Sequence, residues 1–127
     1  MTYQINGAAI EVHKELGPGL LESVYHKCLA YELWHRGINF ETEFEIPIMY
    51  KMLQIDTKVR CDLLVENSIV VEIKAVKDFA PVHSAQLLIY MKLLEAPKGI
   101  LLSFNVYNLY KDGQRTLINE HFHNLQA

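Results

Sequence analysis

Ile69-Val70-Val71-Glu72-Ile73-Lys74-Ala75 sets a carboxylate and an ammonium two residues apart inside an otherwise apolar run. Read as a strand, residues two apart share a face. Val71 and Ile73 then turn into a core, while Glu72 and Lys74 project together from the opposite side. Taken alone, such a triplet is more often a solvent-facing Glu and Lys on an edge strand, so its neighbours must decide.

Leu53 to Val65 reads as a long preceding strand, and Glu66-Asn67-Ser68 as the turn between the two. In a hairpin the number of loop residues fixes which side chains face each other. With three loop residues, Val65 pairs with Ile69 and Asp62 falls opposite Glu72; with two, Asp62 would face Val71. Only the odd loop, or a bulge of equal effect, puts Leu63, Val65, Ile69 and Val71 on one face and Asp62 with Glu72 on the other. Two acids and a lysine on one sheet face can hold a divalent cation and activate water against a phosphodiester. Lys58 and Arg60 continue the Asp62 face. They form either a positive rim for nucleic acid or an ordinary solvated strand face.

Around this hairpin the pattern is helical. Ile5, Ala9, Val12 and Leu16 predict a helix over 3–16, broken by Gly17-Pro18-Gly19. A second helix runs from Leu20 or Leu21 to Arg36, with Leu21, Val24, Cys28 and Tyr31 as its apolar stripe and Gly37 as its stop. Glu43 to Tyr50 alternates as a strand, followed by a turn at Lys51-Met52. Pro81 suits the first turn of a third helix reaching about Leu94, because proline is tolerated where no amide donor is needed. Gly99 to Phe104 reads as a buried strand, and Lys111-Asp112-Gly113-Gln114 as a turn into a short strand around Arg115 to Ile118. The expected class is α/β with a mixed α+β sheet, ordered helix, helix, three strands, helix, strand and a short final strand.

Half of the 127 residues are hydrophobic and about a fifth are charged, which suits one domain over 1–127 with its own core. The net charge of −3 excludes broad electrostatic coating of nucleic acid, so phosphate binding must come from a local patch or a bound metal. Cys28 and Cys61 lack zinc-ligand spacing and read as reduced thiols. The start, Met1-Thr2-Tyr3-Gln4-Ile5-Asn6, has no basic segment leading into an apolar one, and no run approaches the ~20 apolar residues of a membrane span. A soluble cytoplasmic protein that does not engage membranes is expected.

Gly19, Glu22 and Tyr25 stand three apart at a helix start and so lie along one line of its surface. Glu22 by itself is a favourable first-turn acid, and Tyr25 by itself a core residue. The stretch His13-Lys14-Glu15-Leu16-Gly17-Pro18-Gly19-Leu20-Leu21-Glu22-Ser23-Val24-Tyr25 resembles the signature of the GxxExxY proteins, within the PD-(D/E)XK nuclease-like superfamily. Asp62, Glu72-Ile73-Lys74 as the ExK half-motif, and Gln86-Leu87-Leu88-Ile89-Tyr90 as the QxxxY helix of the RecB-like branch resemble the rest of the pattern, from about Ile5 to Ile118. Cys61 stands where the superfamily's name has proline.

The resemblance implies a restriction-endonuclease-like PD-(D/E)XK core and a nuclease using Mg²⁺ or Mn²⁺. By analogy Asp62, Glu72 and the Ile73 carbonyl hold the metal, and Glu22 approaches directly or through water. Lys74 orients or polarises the attacking water. Gln86 and Tyr90 hold that water or a phosphate, or else are a half-buried pair supporting the sheet. Lys58, Arg60 and Tyr25 are the candidate nucleic-acid contacts, and DNA is preferred over RNA as substrate. His83 is read as a surface or supporting residue rather than a base. The alternative is a non-catalytic nuclease-fold subunit or regulator with a protein partner. Apolar residues on the first helix and on the edge strand Ile46 to Met52 add the expectation of a homodimer.

Overall fold

The structure, a computed structural model, describes residues 1–119; residues 120–127, included in the expected domain span, lie outside the described residues. Helices α1 (Thr2–Leu16) and α2 (Glu22–His35) precede strands β1 (Phe40–Tyr50), β2 (Leu53–Val65) and β3 (Ile69–Lys74). Helix α3 (Pro81–Leu93), strand β4 (Lys98–Ser103), helix α4 (Leu109–Asp112) and strand β5 (Gln114–Ile118) complete the order. The five strands lie in sequence order in one mixed α+β sheet, in which only β3 and β4 are parallel. That pairing needs a crossover, which α3 supplies.

Each face of the sheet has its own core. Leu63, Val65, Ile69, Val71, Ile73, Ile100 and Leu102 pack with Ile5, Ala8, Ala9 and Val12 of α1 and Tyr25, Leu29 and Leu33 of α2. On the other face Leu64, Val70 and Leu101 meet Leu87 and Met91 of α3. The α3 helix sits close to β4 because Gly99 has no side chain: a Cβ there would lie 2.5 Å from Met91 Sδ and 2.9 Å from Leu87 Cγ. β3 is thus buried on both faces, as a strand in a parallel pair usually is.

Several boundaries differ from expectation. β1 begins at Phe40, three residues before the predicted Glu43, and a single helical turn, α4, precedes β5. Asn108 caps that turn by accepting the Lys111 amide at 3.0 Å. The apolar stripe of α2 lies elsewhere too. Tyr25, Leu29 and Leu33 are buried, whereas Leu21, Val24 and Tyr31 are exposed. Apolar side chains surround this helix, so spacing alone left its inward face ambiguous.

The β2–β3 register follows the odd loop, with Val65 opposite Ile69 and Leu63 opposite Val71. Glu66 and Asn67 turn the chain with φ of 51° and 56°. β1 pairs with β2 from Thr42↔Leu63 to Phe44↔Cys61 but skips Glu43 and Asp62, and Glu43 has φ 49°. Cys61 and Leu64 both pack against the α3 side although three apart, so the alternation of β2 slips at Asp62–Leu63. A slip of one residue re-aims the side chain beside it. Here that side chain is Asp62.

Candidate functional site

The β2–β3 ladder stops at Leu63↔Val71, and two carboxylates continue it. The Asp62 amide donates to Glu72 Oε2 at 2.7 Å, and the Ile73 amide donates to Asp62 Oδ2 at 2.7 Å. Each acid therefore binds the backbone beside the other, which fixes both side chains and leaves each a second oxygen. In an extended strand the N–H and C=O of one residue point the same way. The Ile73 carbonyl thus also faces β2, beyond the last ladder pair.

Glu72 is only 4% exposed. Burial pushes its carboxyl up to about 7, and the nearby charge of Asp62 adds to the rise; the Asp62 amide and Lys74 oppose it. Burial also raises Tyr90, with further contributions from Glu72, Cys61 and Asp62, which puts its hydroxyl within electrostatic reach of the carboxylates. Cys61 is pushed up to about 12 by burial and by the two acids, so it stays a neutral thiol. Lys74, half-buried at the strand end, shares the side of Glu72. Beyond it, the Ser103 hydroxyl donates to the Val76 carbonyl and accepts the Val76 amide at 2.9 Å, tying down the chain after Lys74.

Glu22 is the first residue of α2 and is exposed. It lines a cleft of about 220 Å³ with Ser23, His26, Asp62 and Ile73, and as the first residue of α2 it is also a first-turn acid. Gln86 lies half-buried one helical turn before Tyr90 on α3. His83 Nδ1 accepts the Ala80 amide at 3.0 Å at the start of α3, where it caps the helix.

The three expected nucleic-acid contacts stand differently in the structure. Tyr25 is fully buried, stacked on Phe104 with ring centroids 4.5 Å apart, so no polynucleotide can reach it. Its hydroxyl donates to the Gly17 carbonyl at 2.6 Å and accepts the Leu20 amide at 3.0 Å. This clamps the Gly-Pro-Gly corner and sets where α2, and Glu22, begin. Lys58 and Arg60 do not form a free positive rim either. Lys58 lies 3.7 Å from Glu45, and Arg60 lies 3.9 Å from Glu43 and 3.8 Å from Glu45. The alternating acids of β1, brought opposite by pairing, offset them. Such exposed pairs are weak and can exchange partners.

Among the described residues, no three His, Cys, Asp or Glu side chains converge as a metal cage. What converges is two carboxylates and a main-chain carbonyl. That donor set fits a hard cation such as magnesium, which takes oxygen ligands and retains several waters. It offers neither the thiolates nor the paired imidazoles that most zinc sites use. The raised Glu72 carboxyl reflects its burial first and the neighbouring charge of Asp62 second.

A pH dependence follows. In chelator, Glu72 keeps its proton in the folded state up to about 7, whereas an ordinary glutamate loses it near 4.5. Between those values the native state binds more protons than the unfolded chain, so stability falls as pH rises. The displacement corresponds to roughly 3 kcal/mol. The melting temperature of the wild type should therefore drop relative to Glu72→Gln between about pH 5 and about pH 8, and Mg²⁺ or Mn²⁺ should restore it at the upper end. Parallel curves for the two proteins in chelator would contradict this.

A family model described as the PD-(D/E)XK nuclease superfamily matches residues 1–116. No curated protein matches the chain. Among solved structures, the crystal structure of SSO0001 is similar, with a TM-score of 0.56 and 26% identity over 82% of this chain and 55% of that one. The chain thus spans about half the length of that structure.

Proposed function

This chain belongs to the PD-(D/E)XK nuclease superfamily, and from that premise we propose that it is a metal-dependent nuclease hydrolysing nucleic-acid phosphodiesters, DNA in preference to RNA. One observation carries the reading: Asp62 and Glu72 are cross-bonded where the β2–β3 ladder ends, beside the Ile73 carbonyl and Lys74. Nucleases of this superfamily generally use divalent metal ions. We take the ion to be Mg²⁺ or Mn²⁺, held by Asp62, Glu72 and the Ile73 carbonyl, with Glu22 reaching it through water. When bound, it supplies a lowered pKa for water and compensation for charge developing on the phosphoryl group.

The chain's own residues do the rest. Lys74 orients the attacking water and adds positive charge near the phosphate oxygens. Tyr90, within electrostatic reach of the carboxylates, and Gln86, one turn before it on α3, are assigned to position that water or a phosphate oxygen. Burial of Glu72 keeps bulk water from the inner side of the site. The finer assignments, a GxxExxY protein of the RecB-like branch acting as one domain in the cytoplasm, rest on the sequence resemblance. Among the described residues no helix is long and apolar enough to cross a membrane.

The test is to incubate the pure protein with single- and double-stranded DNA and with RNA, in Mg²⁺, Mn²⁺ or chelator. Metal-dependent cleavage supports the nuclease. Its absence in every condition favours a non-catalytic nuclease-fold subunit with a protein partner, a reading supported by the masking of Lys58 and Arg60 by acids. Exposed Met49, Tyr50, Met52 and Leu53 at the β1–β2 tip support a homodimer, which a monomer mass in light scattering over a wide concentration range would remove.

A further inference from the structure

Ser23 and His26 line two adjoining clefts. One, of about 220 Å³, also holds Glu22, Asp62 and Ile73. The other, of about 250 Å³, continues past Lys27 and Ala30 to Thr42 and Glu43 of β1. On a helix, Ser23, His26, Lys27 and Ala30 recur every three or four residues and share one face. The clefts therefore form one groove, leading from the candidate cation site along α2.

Inside this groove His26 Nε2 is buried and has no hydrogen-bond partner. A polar nitrogen withdrawn from water without a partner is costly, and buried polar groups are nearly always satisfied. The groove opens onto Asp62 and Ile73, which points to an oxygen of the substrate as the missing partner. Lys27 is exposed at the groove and supplies a cation, and Ser23 supplies a hydroxyl. Glu43 is a carboxylate on the opposite wall, drawn toward Arg60 at 3.9 Å.

We propose that this groove receives the backbone of a single nucleic-acid strand, with His26 Nε2 and Ser23 Oγ hydrogen-bonded to the phosphate next to the one cleaved and Lys27 following it. The proposal rests on the nuclease reading and narrows it to a substrate class. Lying between one helix and one strand, the groove is assigned to one chain and not to a duplex. No Phe, Tyr or Trp is among its lining residues, so the grip falls on the backbone and not on stacked bases. Binding is then indifferent to sequence.

The probe is a fluorescein-labelled thymidine oligonucleotide of about ten residues, with binding followed by anisotropy in chelator and cleavage in Mn²⁺. His26→Ala should weaken binding and raise KM about tenfold, with kcat changed much less. His26→Gln, whose amide can still donate, should recover part of the loss. Lys27→Ala should lower the slope of log affinity against log salt by about one. Thermal melts confirm that each variant is folded. Unchanged binding and KM in folded His26→Ala would overturn the groove, while wild-type cleavage would leave the nuclease standing. Binding weakened by His26→Ala without cleavage by any wild-type preparation would keep the groove and remove the nuclease. Duplex bound as tightly as single strand would overturn the substrate class.

Discussion

Glu72→Ala is expected to lower metal-dependent cleavage by about 10³-fold or more, while the protein remains folded. Glu72 has two roles at the ladder end. One oxygen accepts the Asp62 amide at 2.7 Å, and the other is available to a cation. Alanine leaves that amide without its acceptor, a cost of about 1–3 kcal/mol. It also removes a carboxyl held near its charge-neutral state by burial and by Asp62, which offsets part of the cost. Activity should therefore collapse with only a modest change in melting temperature. Glu72→Gln keeps an oxygen for the Asp62 amide and removes the charge, so it should be equally inactive and at least as stable in chelator. Initial rates in Mn²⁺ with parallel melts decide the matter. A wild-type rate in either variant, or cleavage that persists in chelator, would sink the assignment.

The second large effect is on stability. Tyr25→Ala is expected to cost about 3–5 kcal/mol, the usual loss for deleting a buried aromatic side chain. The ring is fully buried on Phe104, and the hydroxyl bridges Gly17 and Leu20 across the corner between α1 and α2. Set against the ~5–15 kcal/mol by which domains are stable, that is a large share. Tyr25→Phe removes the bridge alone and should cost about 1–3 kcal/mol. Denaturant unfolding measures both. If Tyr25→Phe kept wild-type stability but bound oligonucleotides poorly, the core assignment would be wrong and the surface one right.

These two residues mark where the sequence was legible and where it was not. Asp62 and Glu72 could be placed together because a hairpin register depends on a count, and the turn residues Glu66-Asn67-Ser68 are visible as letters. The slip at Asp62–Leu63 was not visible, since Glu43 with φ 49° carries no signal such as glycine would. Tyr25 was ambiguous because its spacing from Gly19 and Glu22 also follows from a helix that clamps its own corner. Lys58 and Arg60 looked free because their partners, Glu43 and Glu45, lie on another strand. His26 was missed altogether. Its one signal is a place on the same helix face as Ser23, four residues beyond Glu22, and that face could be recognised only once β1 and β2 stood opposite it.

The ladder end also has a kinetic side. Asp62 and Glu72 are ten residues apart in the chain, whereas Ile69 and Lys98, the first pair of the parallel β3–β4 ladder, are separated by all of α3. Closing the shorter loop costs about 1 kcal/mol less in chain entropy. The two acids therefore belong to a local part of the sheet, and β4, which pairs with β3, belongs to its slowest. During folding the carboxylates meet while still open to water, when their mutual repulsion is small. The low-dielectric setting that raises Glu72 arrives only with α3 and β4.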